Sequence, residues 1–292
     1  MSMDQKTRNG TLLQADSRQD QLLGILYGSP IGRMLLKPLT APALSRLAGR
    51  FLSTGISRIL IKPFIRSCGI NMEEYAEEAY GSYNDFFSRN IRPECRPIDR
   101  VPEHLISPAD SKLTVLPIGQ DNRFVLKHTE YTVASLLHNR ELAEAYDGGL
   151  ALIFRLCVDD YHRYCYVADG TKTENIHIPG ALHTVNPIAN DYFPIYKENS
   201  REYCVLHTDR FGEIVIMEVG ALMVGKIVNH HGAASVLRGQ EKGYFQFGGS
   251  TVVLLLKPNT VDIDADIMEN SCAGIETIVK YGEKIGTAFP QT

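Results

Sequence analysis

Gly243-Tyr244-Phe245-Gln246-Phe247-Gly248-Gly249-Ser250-Thr251-Val252-Val253-Leu254-Leu255-Leu256 decides how the chain is read. Its two arms, 243–247 and 251–256, are aromatic and β-branched apolar runs with the composition of strands. Two glycines and a serine separate them. Glycine has no Cβ, so the backbone there can take strained or positive-φ conformations. One reading of the junction is a bulge or a tight bend between strands. The other is a self-cleavage site. The Ser250 hydroxyl can reach back to the Gly249 carbonyl and exchange the amide for an ester. Elimination then cuts the chain and leaves a dehydroalanine. Tautomerisation to the imine, then its hydrolysis by water with loss of ammonia, convert that residue to a pyruvoyl group. So short a motif does not choose between the two readings by itself.

Outward from this stretch the chain keeps strand character. Strands are expected over 113–116, 124–127, 150–158, 164–167, 175–178, 203–207, 214–219, 222–228, 245–247, 251–256 and 276–279, separated by Gly, Pro, Asn and Asp turns. One helix or a helix pair fits 132–146. The expected class is α+β, a mostly antiparallel β core that is barrel- or sandwich-like, with a short amphipathic helical region before it. A strand–glycine-loop–helix unit is lacking, which speaks against a nucleotide site.

Composition bounds the rest. The 292 residues are 44% hydrophobic and 22% charged, enough to bury a core in one large domain or two unequal ones. A net charge of −4 gives no reason to expect a nucleic-acid partner. Residues 1–20 are polar and lack the apolar core of a secretory signal, and no run approaches the ~18 apolar residues of a spanning helix. The six cysteines are widely spaced without a C-x-x-C pair. That pattern argues against zinc and fits free thiols in a reducing cytoplasm.

Residues 21–72 contain no acid but carry Arg33, Lys37, Arg46, Arg50, Arg58, Lys62 and Arg66. Leu44, Leu47, Ala48, Phe51, Leu52, Ile56, Ile59 and Leu60 recur at helical spacing. Prolines 30, 38, 42 and 63 divide the span into short helices. A helical subdomain with its basic side in water would look like this. So would a membrane-surface anchor, apolar face in the acyl boundary and basic face on anionic head groups, which the absence of acids favours. Residues 1–75 are therefore expected to form this unit and 76–292 the catalytic β-rich domain. Ser82 is the expected cap of a short helix over 83–88.

Several polar residues interrupt the core. Asp110 ends Ser107-Pro108-Ala109-Asp110, which alone reads as a turn. Asp159-Asp160-Tyr161-His162-Arg163-Tyr164-Cys165 stands at a strand end, where scaffolds present chemistry. His183 and His207 are each, singly, ordinary structural histidines. No metal-ligand spacing is evident.

Taken together, Tyr83-Asn84-Asp85-Phe86-Phe87-Ser88-Arg89, Arg96-Pro97-Ile98, Ser107-Pro108-Ala109-Asp110, Asp160-Tyr161-His162-Arg163, Pro179-Gly180, Thr184-Val185-Asn186-Pro187, Glu218-Val219-Gly220-Ala221, Val224-Gly225 and Phe247-Gly248-Gly249-Ser250-Thr251 resemble, in order, the phosphatidylserine decarboxylase proenzyme family. The resemblance implies cleavage between Gly249 and Ser250 into a β chain, 1–249, and an α chain, 250–292, that stay together as a heterodimer. It implies a covalent pyruvoyl cofactor made from Ser250, which condenses with the amine of phosphatidylserine and acts as an electron sink while carbon dioxide leaves. It implies a Ser-His-Asp set with Ser250 as nucleophile and Asp110 as the acid. The family pattern has two histidines, at positions matching His162 and Cys165, and this chain keeps only the first. The base is then His162 or, failing that, His183. Cys165 would need to be a thiolate. His162 is also the expected acid that protonates the substrate carbon. The expected site is the cytoplasmic side of the cell membrane, bound peripherally to anionic lipid. Rival readings are a pyruvoyl decarboxylase of a soluble aromatic amino acid, an unprocessed lipid-binding homologue, and a serine hydrolase, which the missing G-x-S-x-G disfavours.

Overall fold

A computed structural model describes residues 3–13, 26–29, 42–76, 79–126, 129–185, 192–221, 226–246, 248 and 250–290, with only the backbone for 42–46. Strand Ser250–Leu256 lies deep inside it, and all seven of its residues are buried. It pairs antiparallel on both sides, with Gly212–Val219 and with Leu150–Leu156. Successive side chains point to opposite faces, so a strand apolar on both needs cover on both. Val252, Leu254 and Leu256 pack on one side with Phe154, Leu156 and Phe245. Val253 and Leu255 pack on the other with Ile153, Val215 and Met217. Burial of these five side chains stabilises by on the order of 10 kcal/mol.

The large sheet runs Ala234–Val236, Gly170–Lys172, Arg201–Thr208, Gly212–Val219, Ser250–Leu256, Leu150–Leu156, Ser111–Pro117, Glu276–Val279, Gln5–Thr7 and Leu12–Leu13, with Ile176–Ile178 attached to Arg201–Thr208. Every pairing is antiparallel except that of Gln5–Thr7 with Glu276–Val279. Two three-stranded sheets contribute to the first core: Ile227–Asn229, Glu241–Phe245 and Arg163–Cys165 form one, and Val261–Ile263, Lys284–Ala288 and His104–Ile106 the other. The second core is closed by Val133–Leu137, Arg140–Glu144 and the hairpin carrying Phe124 and Tyr131. The class is α+β and mostly β. The strand path ends on two edges and does not close on itself, so the barrel expectation is not met.

Expected and observed elements differ where long-range pairing decides. The helical stretch 132–146 is a pair, because His138 takes a left-handed φ of 50° between the two helices. Gln5–Thr7 and Leu12–Leu13 are strands in a segment too polar to announce itself. Helix Ala265–Cys272 and strand Lys284–Ala288 were likewise not expected. Of the strand expected over 222–228, residues 222–225 lie outside the described residues and Ile227–Asn229 is a strand.

Before the sheet, helix Pro42–Leu52, the 3-10 turn Gly55–Leu60 and helix Ile61–Cys68 follow one another. Pro42 and Pro63 occupy first-turn positions, which proline tolerates. Gly69 ends the last helix at φ 63°. Leu52, Phe64 and Ile65 pack on Tyr83, Phe86 and Phe87, so this small core crosses residue 75. Leu47, Phe51, Ile56 and Ile59 stay exposed, as do Arg50, Arg58, Lys62 and Arg66. Arg33 and Lys37 lie outside the described residues. The Ser82 side chain caps helix Tyr83–Phe87 by accepting from the Asp85 amide.

Candidate active site

Ser250 opens the central strand opposite Leu156 and is fully buried. Beyond Leu156 the chain turns sharply and returns as Arg163–Cys165. Asp160 pins that turn: its carboxylate accepts from the Cys157 amide at 2.7 Å and from Lys112 Nζ at 2.6 and 2.7 Å. The turn carries His162 to Ser250, with Nδ1 3.3 Å from Oγ. The other ring nitrogen, Nε2, lies 2.9 Å from the Cys157 carbonyl oxygen. A carbonyl only accepts, so Nε2 carries the proton. In the neutral ring Nδ1 is then a bare acceptor facing the serine hydroxyl.

The ring is neutral. Burial, aided by the positive charge of Arg89, pushes the His162 pKa down to about 3. Phe87 covers the ring at 4.1 Å between centroids. The Phe245 amide donates to the His162 carbonyl at 3.0 Å, tying this turn to the strand that leads toward Ser250. On that path Gly248 takes φ 132°, a conformation that favours glycine. Gly249, the expected acyl side of the cut, lies outside the described residues, as does Phe247.

The other expected residues stand elsewhere. Asp110 is buried and accepts from Arg96 Nε at 2.9 and 3.0 Å, from Arg96 Nη2 at 2.7 Å and from the Tyr281 amide at 2.8 Å. Both ring nitrogens of His162 are engaged without it, so no direct Ser-His-Asp chain forms here. Cys165, not His162, adjoins the Asp110 loop: its amide donates to the Pro108 carbonyl at 2.9 Å, and its Sγ lies 3.9 Å from the Ser107 carbonyl. Burial pushes its thiol up to about 12, so at neutral pH it is no thiolate base. His183 is buried against Phe193, ring centroids 4.6 Å apart. Asn199 holds its backbone amide and carbonyl at 2.9 and 2.8 Å, and its Nδ1 has no partner. Burial lowers its pKa too.

Sequence reasoning did not single out Arg89, Phe87, Arg96 or the Cys157 carbonyl. Arg89, Phe87 and Arg96 all lie within the motifs that carry the family resemblance. The carbonyl had no signal, since only the fold aims it. Cys157, Asp159 and Asp160 offer ligand atoms within 4.8 Å of one another. Lys112 already neutralises Asp160, and Arg155 Nη1 sits 3.0 Å from the Cys157 sulfur, so built-in cations stand where a metal ion would. All six cysteines are free thiols.

Its family match and its relatives place the chain among the decarboxylases. A family model described as phosphatidylserine decarboxylase matches residues 83–287. The chain is 48% identical over 265 residues to phosphatidylserine decarboxylase proenzyme 2 of Clostridium acetobutylicum, covering 90% of this chain and 91% of that one. It is 40% identical over 266 residues to the phosphatidylserine decarboxylase proenzyme of Clostridium perfringens strain SM101, covering 89% and 90%. With that of Clostridium botulinum strain 657 it shares 38% over 274 residues, covering 92% and 93%. The chain belongs to the phosphatidylserine decarboxylase family.

Proposed function

We propose that the chain is a proenzyme that cuts itself between Gly249 and Ser250 and then decarboxylates phosphatidylserine to phosphatidylethanolamine. One observation carries the reading: a buried serine hydroxyl stands 3.3 Å from an imidazole nitrogen that its other hydrogen bond keeps bare. His162 Nδ1 takes the Ser250 proton as Oγ bonds to the Gly249 carbonyl carbon. The same proton serves the departing amide nitrogen as the peptide C–N bond breaks. Proenzyme naming of the relatives agrees with such processing.

The residues around position 250 suit a pyruvoyl group. Its site would be dry, bounded by His162, Phe87 and the central strand, and the group would supply an electron sink for loss of carbon dioxide. His162 Nδ1 is the proton carrier nearest that position. Ser250–Leu256 is paired on both sides, so the α chain, 250–292, stays seated in the sheet with the β chain after cleavage.

Residues 47–66 serve as the membrane-surface unit in this reading; of the expected unit 1–75, Gln5–Thr7 and Leu12–Leu13 belong instead to the large sheet. Exposed Leu47, Phe51, Ile56 and Ile59 adjoin exposed Arg50, Arg58, Lys62 and Arg66, an apolar and cationic surface suited to anionic lipid. No helix among the described residues is long and apolar enough to cross a membrane. Peripheral attachment at the cytoplasmic face fits both facts.

Intact mass of the purified protein is the test. Two species ending at residue 249 and beginning at a ketone-blocked residue 250, with carbon dioxide released from phosphatidylserine vesicles, are expected. A single uncut chain with an unmodified Ser250 would overturn the reading. Turnover of free aromatic amino acids without vesicle binding would favour the soluble-substrate alternative.

A further inference from the structure

Among the described residues, the buried arginines are neutralised or satisfied, with one exception. Arg155 pairs with Glu276. Arg201 donates to the carbonyls of Leu136, Lys197, Asn199 and Ser135. Arg89 is 1% exposed, yet its Nη2 has only the Tyr75 hydroxyl, at 3.1 Å, and its Nε and Nη1 have no partner. The guanidinium carbon lies 4.2 Å from the Tyr75 ring centroid and 4.9 Å from that of Phe86. Among the described residues, Asp110 and Glu74 pair with Arg96 and Asp160 with Lys112, and the exposed Asp159 forms no ion pair with Arg89. A buried cation without a counter-charge is costly, and a fold that keeps one is prepared for an anion.

We propose that Arg89 receives the phosphodiester group of the substrate's head group; this rests on the function proposed above. Position is the first support. Arg89 follows the helix Tyr83–Phe87, and Phe87 lies on the His162 ring that meets Ser250. Chemistry is the second. The substrate offers two anions, a carboxylate and a phosphodiester. A guanidinium on the carboxylate would stabilise a charge that must vanish as carbon dioxide leaves, and so would raise the barrier. The phosphodiester keeps its charge throughout, so binding it holds the substrate without that cost. Tyr75 completes the donor set: its oxygen accepts from Arg89, which leaves its own O–H to donate to a second phosphate oxygen. Tyr75 also lines a cavity of about 760 Å³ with Met72, Glu73, Tyr80 and Arg92, so open space reaches the residue that contacts Arg89.

The test uses the full chain after self-cleavage, checked by intact mass, and compares carbon dioxide release from glycerophosphoserine and from O-ethylserine. The second compound keeps the amine and carboxylate but has no phosphate. Wild type is expected to favour glycerophosphoserine in kcat/KM by roughly 30-fold, as for charge-assisted contacts to phosphate. In the fraction of Arg89→Gln that has cleaved itself, most of that preference should be lost through KM, and Arg89→Lys should regain part of it. Millimolar inorganic phosphate should leave glycerophosphoserine turnover unchanged. A cleaved wild type that does not discriminate between the two compounds overturns the proposal, whether or not the variants fold. So does phosphate inhibition that Arg89→Gln abolishes while the preference stays, since that marks a free-anion site. An uncut wild type counts against the proposed function itself.

Discussion

His162 and His183 are both buried, both packed against a phenylalanine and both held below the ordinary histidine pKa. Only one is poised for chemistry. At His162 the Cys157 carbonyl fixes the proton on Nε2 and leaves Nδ1 facing a hydroxyl. At His183 the contacts of Asn199 are to the backbone, and Nδ1 meets no partner. Burial alone keeps an imidazole neutral. A second hydrogen bond is what decides which nitrogen is bare and where it points.

The comparison can be broken from either side. Ser250→Ala should leave the chain uncut and without carbon dioxide release, because the hydroxyl supplies both the cut and the ketone; a gel and a release assay read both. His162→Ala should slow self-cleavage by about 10²–10⁴-fold, the usual worth of a positioned base. Normal processing of a folded His162→Ala protein would transfer the role to another residue.

Asp110→Asn should separate fold from chemistry. It leaves Arg96 with Glu74 and removes the charge from a buried pair, at a cost of about 1–3 kcal/mol. A lowered Tm with a several-fold slower cut is expected; a 10³-fold slower cut at unchanged Tm would restore Asp110 to a direct catalytic part. His183→Ala should cut at close to the wild-type rate, and a rate as low as that of His162→Ala would erase the distinction between the two rings.

The smallest effect is in the pH profile. An ordinary imidazole would lose half its basic form near pH 6.5. With the folded pKa at about 3, the self-cleavage rate should change little between pH 8 and pH 5. The sign for stability is opposite to that of a histidine with a salt-bridge partner. Here the unfolded chain binds a proton that the folded one refuses. The His162 contribution is therefore intact above pH 6.5 and is lost progressively as pH falls toward 3. A cleavage rate that halves near pH 6.5 would show a solvated ring.

Residue pattern alone placed much of this protein. The apolar run 251–256 reads as a strand buried on both faces, because six residues are short for a helix, two glycines precede them and β-branched residues open the run. The ordered motifs from Tyr83 to Thr251 located the family, and the serine after two glycines pointed to the bond proposed to be cut. Spacing along the chain could not say that Asp110 would pair with Arg96, that Cys165 would lie beside the Asp110 loop, or that Arg89 would be left without a counter-charge. Each of those depends on which strands become neighbours. Ser250 and His162 meet across 88 positions of sequence only because Ser250–Leu256 and Leu150–Leu156 pair in one register. A shift of one residue would turn every side chain of the strand to the opposite face and part the hydroxyl from the imidazole.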